Sequence, residues 1–251
     1  MVAKKEDRHE LILSRIKKDR KISMVELASE LNVSEHTIRR DLKELAEVGL
    51  LTTVRGGARV KSSMPFNIYD RDAIDVNQKN AIAEKSIELL QQDQVVFFDG
   101  GTTTQAIAGY IPDHMKLTVV THSFLIANVL ATHPNVKLIF AGGELCKSSF
   151  TTQGIQMINT FEKIYADICF LGICSIDDKK GITARTSEEA DVKRIMCQNS
   201  SQIVAATTYN KLYTTEPFFV CPVTAIDYLI TEKNSTDTEL QPFINQGIQI
   251  L

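Results

Sequence analysis

The sequence predicts an α/β protein in two parts: a small winged helix-turn-helix domain over residues 1–60, a linker over 61–72, and a larger α/β domain with a parallel sheet over 73–251. Three observations lead there. Two helical runs, each opened by a serine and separated by a short turn, are followed by a glycine-centred hairpin. From Val95 onward, β-rich apolar runs alternate with helical ones. At the start of that alternation stands Val95-Val96-Phe97-Phe98-Asp99-Gly100-Gly101-Thr102-Thr103-Thr104, a buried-strand pattern that turns through two glycines into a helix N-terminus.

Composition bounds the class. The chain has 251 residues, 43% hydrophobic and 24% charged, which suits an ordinary soluble globular protein. Met1 to Glu10 is charged and lacks an apolar core, so no secretory signal is expected. No apolar run approaches the roughly 18 residues of a membrane span. A cytoplasmic protein with no membrane partner is expected. Five cysteines without C-x-x-C spacing read as reduced thiols, and five scattered histidines have no metal-ligand spacing. No metal and no cofactor are expected. Residues 1–61 carry 14 Lys+Arg against 10 Asp+Glu, while the remainder carries 14 against 21. A basic head on an acidic body fits a nucleic-acid contact made by the head.

In the head, Leu11, Ile12 and Ile16 have helical spacing from about Arg8 to Lys18. Ile22 follows as a short extended link. Ser23-Met24-Val25-Glu26 is a capping box, and the helix it opens is expected to bury Val25, Leu27, Ala28 and Leu31. Asn32 and Val33 turn the chain. Ser34 caps a third helix from Glu35 to about Val48. Projected at about 100° per residue, Ile38, Leu42 and Leu45 face the core, and His36, Arg40, Lys43 and Glu47 lie opposite, flanked by Thr37 and Arg39. The N-terminal end of such a helix meets base edges in the major groove, where an arginine can pair with guanine. Gly49 stops the helix. Leu50 to Val54 and Ala58 to Val60 form a hairpin through Arg55-Gly56-Gly57, a wing that carries Arg55 and Arg59 toward phosphates or a minor groove. The expected DNA-facing set is Ser34, His36, Thr37, Arg39, Arg40 and Lys43, with Arg55 and Arg59 from the wing.

Lys61 to Asp72, with Ser62, Ser63 and Pro65, reads as an interdomain linker whose Phe66 and Tyr69 dock on the body. Helices are expected over Gln78–Leu90, Ser123–Ala131, Gly154–Tyr165, Ser187–Gln198 (with Ser187 as N-cap) and Glu239–Asn245. Strands are expected over 95–98, 117–121, 136–140, 168–172, 202–206 and 228–231. Ligands in parallel sheets bind beyond the carboxyl ends of the strands. Those ends are Asp99 with its glycines, Thr121-His122-Ser123, Gly142-Gly143-Glu144, and Thr207-Thr208 before Lys211. Glycines admit a ligand close to the backbone, and the free N–H groups of a helix start favour an anion. The spacing is neither a dinucleotide fingerprint nor a Walker loop. Lys193, beside Arg194 in a helix, reads as a solvated or salt-bridged lysine.

Val33-Ser34-Glu35-His36-Thr37-Ile38-Arg39-Arg40-Asp41-Leu42, then Gly49-Leu50-Leu51 and Gly56-Gly57-Ala58, resembles the signature of DeoR-family bacterial transcription regulators. The resemblance continues through Asp99-Gly-Gly-Thr-Thr-Thr, Thr121-His-Ser, Gly142-Gly-Glu, Phe170-Leu-Gly, Gly181-Ile-Thr, Glu189 to Lys193, and Lys211. It departs at the wing (Thr53, Arg55), at Gly100 and at Ala206–Asn210, where the family's usual aspartate is missing. It implies a Rossmann-like body similar to ribose-5-phosphate isomerase and glucosamine-6-phosphate deaminase. It also implies a phosphorylated sugar at the Gly/Thr loop that alters operator affinity, in a homo-oligomer (dimer or tetramer) that usually represses. The implied effector site is Asp99, Gly100, Gly101, Thr102, Thr103, Thr104, Thr121, Ser123 and Lys211. Asp99 either contacts a sugar hydroxyl or caps its own turn. Two other readings compete: a body that only oligomerises, and a working isomerase or deaminase. The last needs a positioned base, and Cys169 to Ser175 holds no acid where the related isomerases have one.

Overall fold

The computed structural model describes residues 4–60, 65 and 67–251. The expected linker positions 61–64 and the docking of Phe66 lie outside the described residues. The chain divides into two compact units, Met1–Ser63 with Leu212–Thr215, and Met64–Lys211 with Glu216–Leu251.

In the first unit, helices α1 (Lys5–Asp19), α2 (Met24–Glu30) and α3 (Glu35–Glu47) join strands β1 (Lys21–Ser23), β2 (Leu51–Val54) and β3 (Gly57–Val60). The link at Ile22 is a true strand, because β1 pairs antiparallel with β3, which also pairs with β2. The Ser23 hydroxyl accepts from the Glu26 amide and the Ser34 hydroxyl from the Thr37 amide, so both serines cap as expected. Helix α2 corrects the expected face: Met24, Leu27 and Ala28 are buried, while Val25 is 60% exposed and Leu31 half-buried. With the first helical residue at Met24, positions i, i+3 and i+4 form the buried stripe, and Val25 falls a quarter-turn off it. Ile12, Ile16, Leu27, Ile38, Leu42, Leu45, Leu51 and Ala58 make one core. On α3, Asp41 lies inside the apolar stripe. It is 2% exposed and accepts two bonds from Arg8, Nε to Oδ2 at 2.9 Å and Nη2 to Oδ1 at 3.0 Å.

In the second unit come helices α4 (Ile68–Asp72) and α5 (Val76–Ile87), then β4 (Val95–Phe98), α6 (Thr102–Gly109), β5 (Leu117–Thr121), α7 (Phe124–Leu130), β6 (Val136–Phe140), a hairpin of β7 (Glu144–Cys146) and β8 (Thr151–Gln153), and α8 (Ile155–Glu162). Strands β9 (Ala166–Gly172), β10 (Ser175–Asp177) and β11 (Gly181–Ala184), helix α9 (Ser187–Gln198), and strands β12 (Ser200–Ala206), β13 (Phe218–Cys221) and β14 (Tyr228–Ile230) follow. The unit ends with α10 (Gln241–Ile244) and β15 (Gln249–Ile250). Seven strands make a wholly parallel sheet in the order β15-β14-β12-β9-β4-β5-β6. Alternation along β4 explains its continuous apolar run. Val96 and Phe98 pack with Ile82, Ile107 and Ile126 of α5, α6 and α7, while Phe97 meets Phe161 of α8 edge-on at 5.1 Å.

The second unit departs from expectation in several places. Residues 68–72 are helix α4, capped by Asn67, with Ile68 1% exposed, so half of the expected linker is part of the body. Tyr69 is 57% exposed yet lies edge-on to Phe150 at 4.9 Å. Thr186, not Ser187, caps α9 by accepting from the Glu189 amide. The hairpin β7–β8 and the antiparallel sheet β10-β11-β13 carry no clear period in sequence because their strands are three or four residues long.

Candidate functional site

The chain order of the seven-stranded sheet decides where a ligand can sit. From β4 the chain builds outward through β5 and β6. It then returns to β9, on the other flank of β4, and builds outward the opposite way. The strand order therefore reverses between β4 and β9, and the crevice beyond their carboxyl ends is where doubly wound sheets bind ligands. Two adjoining cavities open there, sharing Arg71, Gly100, Gly101, Cys174 and Glu189 in their walls. The first also reaches His122, Ser149, Thr151, Thr186 and Val192, and the second Thr102, Thr103, Thr104, Gly172 and Lys211.

Asp99 closes the crevice floor. Its Oδ1 accepts from the Gly100 amide at 2.7 Å, and its Oδ2 accepts from the Gly172 amide at 2.8 Å and from the Lys193 ammonium. Its carboxylate thus holds its own turn and ties β4 to β9, and it also lines the first cavity. Lys193 is 1% exposed, donates also to the Gly172 carbonyl at 2.7 Å, and lies 3.5 Å from Glu189. It is the keystone of a buried ionic cluster, one α-helical turn from Glu189, so of the two expected alternatives it is salt-bridged and not solvated. Burial alone would depress its pKa, but the Asp99 and Glu189 carboxylates raise it. Burial works to raise Glu189, yet Lys193 and the Cys174 thiol, which donates to Glu189 Oε1 at 2.8 Å, hold it below the usual carboxylate range. Burial and the Glu189 charge push the Cys174 thiol up to about 12.

The Gly/Thr loop opens α6 with Gly101 at the N-cap, at φ 153° and with no side-chain cap. The first-turn amides of α6 thus have no competing side-chain acceptor. Thr102 and Thr103 line the second cavity. Thr104 lies in its wall, but its hydroxyl donates to the Gly101 carbonyl at 2.9 Å. Lys211 is 8% exposed, and its ammonium donates to the Ile173 carbonyl at 2.8 Å. Burial, aided by the nearby Arg71, Lys193 and Lys79 cations, lowers its pKa to about 8.

Two expected site residues are elsewhere. The Thr121 hydroxyl donates to the Phe98 carbonyl at 2.7 Å and accepts from the Ser123 amide, and the Ser123 hydroxyl caps α7 through the Ile126 amide. Both are fully buried and neither lines either of these two cavities. Their hydroxyls serve the backbone at the end of β5, and the intervening His122 is the residue that faces the crevice. Burial pushes the His122 imidazole below its ordinary pKa, and among the described residues its Nδ1 has no hydrogen-bond partner. The sequence places His122 at a strand end of the site without marking it as a binding residue, and it hides Arg71 in the expected linker and Ser149, Thr151, Thr186 and Arg185 in segments that carry no binding signal.

On the first unit, His36, Arg39, Arg40 and Lys43 are exposed along α3, opposite the buried Ile38, Leu42 and Leu45. Arg40 pairs loosely with Glu44 at 3.4 Å, and Lys43 with Glu47 at 3.8 Å. The Ser34 and Thr37 hydroxyls lie 2.9 Å apart at the start of α3. Arg55 is exposed at the wing turn, where Gly56 takes φ 83°. Arg59 corrects the expectation. It sits on β3, the central strand of its sheet, opposite Lys21 and Thr52, and is only 3% exposed.

A winged helix-turn-helix unit with an exposed basic helix face, on a chain whose second unit is a parallel sheet with a crevice at its switch point, defines a DNA-binding transcription regulator with a sensor domain. The chain belongs to the DeoR family: the DeoR-like helix-turn-helix domain matches residues 8–64 and the DeoR C terminal sensor domain residues 74–233. It is 30% identical over 246 residues to the HTH-type transcriptional regulator GolR of Listeria innocua, covering 97% of each chain. It is 29% identical over 248 residues to the glycerol-3-phosphate regulon repressor of Escherichia coli, covering 98% of each. Among solved structures it is similar to ribose 5-phosphate isomerase A from Methanocaldococcus jannaschii, at 13% identity over 53% of each chain with a TM-score of 0.40. No helix among the described residues is long and apolar enough to cross a membrane.

Proposed function

We propose that this protein is a cytoplasmic repressor of carbohydrate-metabolism genes, whose operator affinity is set by a phosphorylated sugar or polyol bound in the sensor crevice. The observation that carries the reading is the meeting of the uncapped α6 N-terminus with the buried Lys211 at the switch point. An anion there is held by N–H groups, by the positive end of the helix and by an ammonium in a low-dielectric site. The names of the relatives point the same way, one being a repressor of a glycerol-3-phosphate regulon. In this reading residues 1–60 bind operator DNA through His36, Thr37, Arg39, Arg40 and Lys43, with Arg55 on backbone phosphates, and residues 73–251 sense the metabolite. One recognition helix reads only a few base pairs, so a dimer or tetramer supplies paired half-sites.

The body binds without turnover. Isomerisation requires a carboxylate or imidazole free to take a proton. Asp99 accepts three hydrogen bonds, Glu189 is engaged by Lys193 and Cys174, and burial keeps His122 weakly basic. The test is an operator footprint with and without a panel of pentose, hexose and triose phosphates, run beside an assay for their conversion. A footprint lost or strengthened by one phosphorylated compound that is itself unchanged supports the reading. A footprint indifferent to all of them, or turnover at enzymatic rates, overturns it.

A further inference from the structure

Arg71 has no place in the function so far, yet its situation is costly. Its side chain lines both cavities, its Nε is buried, and among the described residues that nitrogen has no hydrogen-bond partner. Burial lowers its pKa, and the neighbouring Arg185 cation adds to the penalty. A guanidinium placed in this way is stabilised by an incoming anion more than by anything already around it. Glu189, the acid in the wall shared by both cavities, is held by Lys193.

The position of Arg71 in the chain matters as much. It lies on α4, which begins at Ile68, while the last strand of the DNA-binding unit ends at Val60. Helix α4 is tied at both ends, to the cavity rim at Ser148 and to α5 at Lys79. The Ile68 amide donates to the Ser148 carbonyl at 2.8 Å, and the Lys79 ammonium donates to the Arg71 carbonyl at 2.6 Å and to the Asp72 carbonyl at 3.2 Å. Ile68 is buried beneath it. A pull on the Arg71 guanidinium therefore acts on the whole helix, and α4 is the first body element that the chain meets after the head.

We propose that Arg71 is the contact through which an anion in the crevice acts on the DNA-binding unit. Its guanidinium pairs with the bound phosphate opposite Lys211 and the α6 N-terminus, and α4, so pinned, transmits occupancy to the segment that precedes it. The proposal rests on the anion-binding reading above. It adds that Arg71, on the first body element after the head, is a residue of the binding set that couples occupancy to the head.

The test uses the full-length protein with inorganic phosphate and with glycerol 3-phosphate as probes, and reads amide hydrogen exchange in two segments, 67–74 and 100–105. In the native chain both segments are expected to gain protection on saturation. Arg71→Gln should bind the probes about tenfold or more weakly, the loss of one charge-assisted pair. At saturation it should still protect 100–105 but no longer 67–74. Arg71→Lys, which keeps the charge and loses the fork, should restore part of the affinity. Unchanged melting of the unliganded variants identifies them as folded. Protection of 67–74 in saturated Arg71→Gln, or protection confined to 100–105 in the native chain, overturns the proposal and leaves the anion site standing. Protection of neither segment by either probe in the native chain overturns both.

Discussion

Lys193 shows how much one side chain decides here. It neutralises two carboxylates in the floor of the crevice and bonds the end of β9, so the loop after β4 is fixed before any ligand arrives. Lys193→Met would leave Asp99 buried and short of its cation. It is expected to destabilise the sensor unit by about 3–5 kcal/mol, read as a lower midpoint in urea, and adding Asp99→Asn should recover part of that loss. Lys211 makes a second prediction, on pH. Its ammonium form is what an anion needs, and its free pKa is about 8. A bound phosphate raises that pKa, so binding takes up no proton well below pH 8 and must take one up above it. Phosphate affinity should therefore be level from pH 7 downward to the phosphate's own titration, and fall as pH rises from 8 to 9.5. Calorimetry in two buffers of different ionisation enthalpy would show the proton uptake, and Lys211→Met should abolish that dependence.

At the scale of elements, α3 divides its two faces between two tasks. Arg40→Ala is expected to lower operator affinity by about 1–3 kcal/mol and to relax discrimination at one base pair if Arg40 reads a base edge. Arg55→Ala at the wing should instead weaken all sequences alike and reduce the salt dependence by about one phosphate contact. Competition binding over a mutated operator set separates these two outcomes. On the opposite face, Asp41→Ala removes the two bonds that the buried Arg8 donates to it and is expected to cost the head about 2–4 kcal/mol, visible as a lower melting temperature before any DNA is added. The crevice has a comparable structural limit at Gly172. A Cβ there would overlap the Gly100 carbonyl oxygen and crowd Asp99. Gly172→Ala should push the Gly/Thr loop off its position and weaken phosphate binding at least tenfold, with operator binding by the unliganded protein retained. Calorimetry and gel shift on the same preparation check both halves.

At the scale of the whole molecule, sensing and DNA binding are linked thermodynamically. A ligand that binds the native sensor at a hundred times its Kd stabilises it by about 2.7 kcal/mol. If it also changes operator affinity by some factor, operator DNA must change ligand affinity by the same factor. Titrating glycerol 3-phosphate or another active compound with and without operator should therefore give reciprocal shifts, and unequal factors would mean that a further state is populated.

The sequence by itself determined the local plan. Ser23 and Ser34 cap their helices because their hydroxyls reach amides three residues on. Ile38, Leu42 and Leu45 face inward because helical period admits no other stripe, and Val95 to Phe98 is a strand because only a sheet covered on both faces accepts four apolar residues in a row. These are effects of nearest neighbours, and the motifs they carry resemble one family closely enough to lead to it. What the tertiary structure alone decided concerns residues far apart in the chain. Strand order placed β9 beside β4, and with it Gly172 and Lys193 against Asp99, some 73 and 94 residues away. The same assembly consumed the hydroxyls of Thr121 and Ser123 and turned Arg71 from a linker residue into a wall of the crevice. Periodicity records which way a side chain points from its own backbone. It does not record which backbone lies opposite, and the chemistry of this site depends on that second fact.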